Sequence, residues 1–323
     1  RLLNQLHQEA ARHWFRAHSE HFILLAPPHA PVARHAEDFL RRREASLRTL
    51  VERLGQTPDG PITIYVYNSS RQAWKLLGRP IGFADPARRE IHVRADQEPG
   101  HEETHIIAWT WNHRGCGVPF LEEGLAVSLS THPGSPGAGA AAVLARGVMP
   151  DLADLVTRFH DFRYGYVLAG SFVSNLLEHN GMEAVRKLYS GRPDEFIPGL
   201  EQETGKKLAW LQAAWETELA AQGTASREPI IMALSLLRLD HLDEALNLLE
   251  EQHSVEPDNP AVEFALAHAL KENGDLEAAS GVYRRMLRLH LPYHLAWMKK
   301  RARQALLELE ARPFPGSETE SQP

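Results

Sequence analysis

A single cysteine, Cys116, stands among 323 residues. An internal disulfide framework is thereby excluded, and so is a zinc cluster built on several thiolates. Long hydrophobic runs are missing as well. No stretch of about 18 apolar residues occurs, so no segment reads as a membrane-spanning helix. Positive charge is outweighed, with 35 Lys and Arg against 42 Asp and Glu and a formal net charge of −7. That balance argues against a nucleic-acid surface, which would need clustered Lys and Arg. The chain also starts at Arg1 without a methionine, from which we expect that an upstream segment was removed.

What is present is ordinary for a globular protein, 43 % apolar and 24 % charged residues in a length that suits one large domain or two smaller ones. The first third reads as α+β. Helical spacing covers residues 1 to about 20 and 31 to 54, ending at Gly55, with a short helix at 70–77. Strands are expected at His21–Leu25, at Pro61–Tyr67, where β-branched and aromatic residues alternate, and at Glu90–Arg94. After about residue 99 the pattern is helical, at 100–112, 119–130, 140–147, 151–159, 165–179, 182–189 and 207–221. The run Pro133–Gly139 is expected as a flexible loop.

The last hundred residues repeat. Asp240-His-Leu-Asp-Glu-Ala245 and Gly274-Asp-Leu-Glu-Ala-Ala279 are offset by 34 positions, the period of tetratricopeptide repeats. Such helix pairs bury a face only by stacking, so an all-α repeat module is expected over 226–311, presenting a surface to protein partners. The polar 312–323 segment is expected to be disordered.

His101-Glu102-Glu103-Thr104-His105 is an H-E-x-x-H motif within a predicted helix. Residues four apart share a helix face, so both imidazoles can reach one cation. Zinc takes nitrogen and oxygen ligands in a tetrahedron, and a catalytic site keeps one position for water. Glu102, one residue on from His101, is placed to take a proton from that water. With 18 histidines in the chain, one chance occurrence of the motif has a probability of order ~10 %, so a second piece is needed. It is Phe120-Leu-Glu-Glu-Gly-Leu-Ala126, a helix start whose carboxylate can complete a His₂Glu set. Periodicity does not separate Glu122 from Glu123.

These segments resemble the gluzincin metallopeptidases of the peptidase MA-like group, where H-E-x-x-H is followed by W-L-x-E-G-x-A. The resemblance implies a zincin-like peptidase domain over 1–225, with a small mixed sheet followed by a helical half. It implies one zinc ion held by His101, His105 and Glu123, with Glu102 as general base and a peptide or protein as substrate. It also implies an extracytoplasmic bacterial location. Tyr166-Val-Leu-Ala-Gly-Ser-Phe-Val173 is similar to a later stretch of the same group, which makes Tyr166 the oxyanion donor and Tyr164 a weaker candidate. In that group an edge strand pairs with the substrate, and Glu90–Arg94 takes its place here. Two departures stand out. Val127 occupies the position of the aspartate that orients the first histidine, and Phe120 replaces the tryptophan. His92, His113, His132 and His160 read as packing or surface residues, Trp109 and Trp111 as core, and Gly181-Met-Glu183 as a helix break.

Overall fold

The computed structural model describes residues 2–79, 81–95, 97, 99–130, 136–221, 233, 236–237, 242–289 and 296–310. The chain divides into two compact units, residues 1–240 and 241–323. The domain boundary expected at 225/226 and the 312–323 tail lie outside the described residues, as does His132.

The first unit opens with α1 (Leu2–His13), β1 (Phe15–His18), β2 (Phe22–Ala26), α2 (Ala36–Leu54), β3 (Ile62–Tyr67), α3 (Ser70–Leu77), β4 (Phe83–Asp85) and β5 (Glu90–Arg94). The first helix is shorter than its periodicity suggested. Phe15–His18 leaves it to pair antiparallel with β2, in register Phe15 to Ala26 and His18 to Ile23, so tertiary pairing overrides local pattern. α2 ends where expected, at Gly55, whose φ of 67° closes the helix with an N–H bond to the Val51 carbonyl.

The five strands lie in the order β1-β2-β3-β5-β4, with β2, β3 and β5 parallel and the two outer strands antiparallel. Parallel neighbours require a crossover, and α2 supplies the one between β2 and β3. One face of the central strands is wholly apolar, with Leu24, Ile62, Ile64, Ile91 and Val93 inaccessible to solvent. Leu6 and Ala10 of α1 and Trp14, just beyond its end, pack with Leu25, Tyr65 and Tyr67 on one side of the sheet.

One expectation is corrected here. Glu90–Arg94 is an interior strand, because Phe83–Asp85 pairs outside it as β4, a strand the sequence pattern did not show. Three residues are too few to display an alternation. The free edge near the following helix is therefore β4, which contacts that helix.

The helical half holds α4 (His101–Ala108), α5 (Pro119–Leu129), α6 (Pro136–Ala145), α7 (Leu152–Thr157), α8 (Gly165–Ser190), α9 (Phe196–Thr204) and α10 (Leu208–Ala221). Pro136–Gly139 begins α6 instead of prolonging a loop, a second correction: Pro suits a first helical position, and Gly137 and Gly139 are buried. The expected break at Gly181 is present, with φ 77° and ψ 172° inside α8. The closest packing joins α5 to α8. A Cβ on Gly124 would come within 2.6 Å of Val173 Cγ2, and one on Gly170 within 2.2 Å of Val127 Cγ1.

The second unit contains α11 (Leu242–Val255), α12 (Pro260–Asn273), α13 (Leu276–Arg288) and α14 (Ala296–Glu310). The turns on either side of α12 are specified locally. Asn259 caps α12 by accepting the Ala261 and Val262 N–H groups, Gly274 closes it at φ 84°, and Asp275 caps α13 through the Ala278 N–H. Ala245, Leu249, Ala269, Ala279, Tyr283 and Met286 are buried.

Candidate metal centre

β5 runs through a short turn into α4, and that turn is tied down by a buried carboxylate. Glu103 accepts the Gly100 N–H at 2.7 Å, while the Thr104 hydroxyl donates to the Gly100 carbonyl at 2.7 Å. The other oxygen of Glu103 accepts from the Arg43 guanidinium of α2 at 2.6 Å, and both side chains are almost wholly buried. Arg43 also donates to the Gln97 carbonyl at 3.0 Å. The first turn of α4 is thus bolted to α2.

On the side of α4 that meets α5, the His101 and His105 rings stand 5.0 Å apart at 79°. Donor atoms of His101, Glu102 and His105 all lie within 4.8 Å of one another. Glu123 of α5 joins them: its Oε2 is 3.2 Å from His101 Nε2 and 3.5 Å from His105 Nε2. Zinc–ligand bonds of about 2.0–2.1 Å in a tetrahedron place neighbouring donor atoms roughly 3.3 Å apart, so two imidazoles and a carboxylate at these spacings fit such an ion.

The rival carboxylate has another task. Glu122 Oε1 accepts the N–H of Cys116 at 2.9 Å and of Gly117 at 3.1 Å, holding the loop before α5. Geometry therefore separates two residues that periodicity left equivalent.

Charge within the cluster is mutually arranged. Burial opposes ionisation of Glu123, but His105 and His101 outweigh it and hold the carboxyl far below its ordinary range. Burial likewise disfavours the His105 imidazolium, yet Glu123, followed by Glu102, lifts it to about 9. Glu102 is 3 % exposed, and burial raises its carboxyl above the ordinary value against the pull of both histidines. Gln97 donates to Glu102 Oε1 at 3.4 Å.

The place of a histidine-orienting aspartate is taken by packing. Val127 fills the contact with Gly170, and His101 Nδ1 is buried without a hydrogen-bond partner. Tyr166 is partly buried with its ring 4.9 Å from Phe159. Tyr164 sits at the start of α8 under the Arg163 guanidinium, 5.4 Å from the ring centroid. His92 is fully buried and stacks between Phe83 at 4.5 Å and Tyr65 at 4.8 Å, with Tyr67 Oη 2.9 Å from its Nδ1. It is a packing residue. Trp109 and Trp111, expected in the core, are only partly buried because they flank the end of α4 in a 3-10 turn.

Three residues near the cluster carry no sequence motif. Arg43 and Gln97 approach it through the contacts above. Tyr189 is buried against Trp111, at 5.4 Å between ring centroids. Burial, then the charges of Glu122, Cys116 and Glu123, push its phenol above the ordinary range, so it remains a proton donor. None could be found from spacing, since Arg43 and Tyr189 reach the site from elements distant in the chain and Gln97 lies in the irregular turn before α4.

Among comparisons with known proteins, no curated protein matches this chain. No solved structure matches it either. Residues 236–308 match the tetratricopeptide repeat family, which accounts for α11 to α14 and for the 34-residue offset between Asp240 and Gly274.

Proposed function

We propose that the chain joins a protein-binding repeat unit to a zinc-dependent peptidase centre. The family match carries the first half of this reading, because stacked tetratricopeptide helices present an extended surface to protein partners. The observation that carries the second half is the approach of Glu123 Oε2 to both imidazoles of the H-E-x-x-H helix. His101, His105 and Glu123 would hold one zinc ion, as in the gluzincins that the motif resembles. A bound zinc would polarise a scissile carbonyl and lower the pKa of a water molecule.

The chain's own groups do the rest. Glu102, desolvated and held by Gln97, has its carboxyl raised toward the range useful to a general base. It takes the proton of the attacking water and returns it to the leaving amine. Tyr166 is assigned by the same resemblance as a hydrogen-bond donor to the oxyanion. The free edge β4, beside α4, is where an extended peptide would pair by strand addition.

The test separates binding from chemistry. Wild type is expected to carry one zinc per chain, with His105→Ala and Glu123→Ala losing it. Glu102→Gln should keep the metal and lose peptide cleavage by at least ~100-fold, the usual size of a general-base contribution. Full activity in Glu102→Gln would overturn the mechanism.

A second reading makes the first unit an inactive platform whose role lies wholly in partner binding. It is favoured by the repeat match and by the unpartnered His101 Nδ1, since metal-binding histidines usually donate their other nitrogen to a neighbour. A metal-free wild type that still captures a partner through residues 236–308 would select it.

A further inference from the structure

Charge in the second unit is sorted by position along the chain. Residues 242–258, which form α11 and the turn after it, carry six Asp and Glu and no Lys or Arg. Residues 278–307, which span most of α13 and α14, carry seven Lys and Arg and no Asp or Glu. Gathering like charges at one end costs self-repulsion that an interspersed surface avoids. α11 packs on α12, α12 on α13 and α13 on α14, so among the described residues the acidic helix opens the stack and a basic one closes it.

Each of these two end helices also holds a large apolar side chain out in water. Val255 of α11 is 70 % exposed and Leu307 of α14 is 62 % exposed. One exposed apolar residue is ordinary on any surface, but here each stands in a stripe of a single charge sign. On α11 the exposed Asp243, Asn247, Glu251 and Val255 follow one another at four-residue spacing, which places them on one face. On α14 the buried Met298, Ala302, Ala305 and Leu309 turn inward and leave Lys300, Arg303 and Leu307 on the outward stripe. Among the described residues no carboxylate pairs with Lys300 or Arg303, and no cation pairs with Asp243.

The two stripes complement each other. In each, a charged residue precedes the apolar one by four positions, Glu251 before Val255 and Arg303 before Leu307. Two helices laid parallel in that register set Val255 against Leu307 and Glu251 against Arg303. Lys300, one turn back, then falls between Asn247 and Glu251. Within one chain α12 and α13 stand between the two helices, so the match is available only to separate copies.

We propose that the repeat unit binds a second copy of this chain, with α11 of one copy against α14 of the next. The proposal rests on reading the repeat unit as a protein-binding surface and gives that surface its partner. The contact is heterologous, so every added copy presents a fresh α11 or α14 face and association continues past the dimer unless a ring closes. A face of 14 helical residues is about 21 Å long and roughly 10 Å wide, at the low end of specific interfaces, so the affinity is expected to be micromolar or weaker.

The test is sedimentation velocity of the full chain at rising protein concentration. Wild type is expected to form dimers and larger species, with association weakened at least ~10-fold between about 0.05 and 0.5 M salt. Lys300→Glu/Arg303→Glu should be monomeric, and so should Asn247→Lys/Glu251→Lys, each melting close to wild type because all four side chains are exposed. An equimolar mixture of the two variants should associate again, since the acidic faces of the first meet the basic faces of the second. A folding defect in either variant would not produce that recovery. Wild type that stays monomeric at about 100 µM in low salt, association unchanged in either variant, or a mixture that stays monomeric would overturn the proposal. A monomeric wild type that instead binds a synthetic acidic peptide through Lys300 and Arg303 would overturn it too, while leaving the repeat unit a protein-binding surface. None of these outcomes depends on zinc.

Discussion

At the scale of single residues, two buried groups set the clearest expectations. Arg43 and Glu103 form an ion pair with no access to water, so removing one partner strands the other. Arg43→Met is expected to destabilise the first unit by about 3–5 kcal/mol, measured by urea unfolding. The cost should exceed that of a surface pair such as Arg88 with Asp85, which is expected within about 1 kcal/mol. Cys116 is the other case. Burial, with Glu122 adding to it, raises its thiol from the ordinary 9 to about 12. The thiolate is therefore scarce in the folded chain below that pH, and iodoacetamide labelling at pH 8 should be slow until denaturant is added. The linkage has a definite sign. Above pH 9 the unfolded chain loses this proton while the folded chain keeps it, so alkaline pH lowers stability through Cys116. Rapid labelling of native protein would show that the thiol is not buried.

At the scale of elements, the α5–α8 contact decides where Glu123 stands. Gly124 follows it directly, and the missing Cβ lets the Ala169 carbonyl and Val173 approach. Gly124→Ala should push the helices apart, costing about 1–3 kcal/mol by thermal unfolding and reducing metal content, because Glu123 would move away from His101 and His105. Helix propensity alone would make the same change favourable by about 1 kcal/mol, so the sign of the result discriminates packing from local preference. In the repeat unit, Asp275 caps α13 through Ala278, and Asp275→Ala is expected to cost about 1 kcal/mol.

At the scale of the whole molecule, a metal that binds only the folded first unit must stabilise it. Zinc at about 100 times its dissociation constant adds roughly 2.7 kcal/mol. Calorimetric scans with and without zinc should show an upward shift in wild type and none in His105→Ala. Equal shifts in both would place the ion elsewhere. No helix among the described residues is long and apolar enough to cross a membrane.

Legible in the sequence were the features whose determinants are adjacent in the chain. The H-E-x-x-H face, the strand at Ile62–Tyr67, the stop at Gly55, the break at Gly181 and the repeat period each depend on residues within a turn or two of one another, or on a pattern that recurs. What only the tertiary structure decided depends on contact between distant segments. That Glu123 and not Glu122 stands beside the two imidazoles depends on the approach of α5 to α4 and on the capture of Glu122 by the Cys116 and Gly117 N–H groups. The strand at Phe15–His18 exists because β2 is there to pair with it, and β4 because β5 is. Arg43 reaches Glu103 across 60 positions of chain, and no periodicity encodes a meeting of that kind. Local sequence sets which faces are apolar and which donors are in hand. Packing then determines which of those donors meet, since burial leaves an unpaired charge too costly to keep.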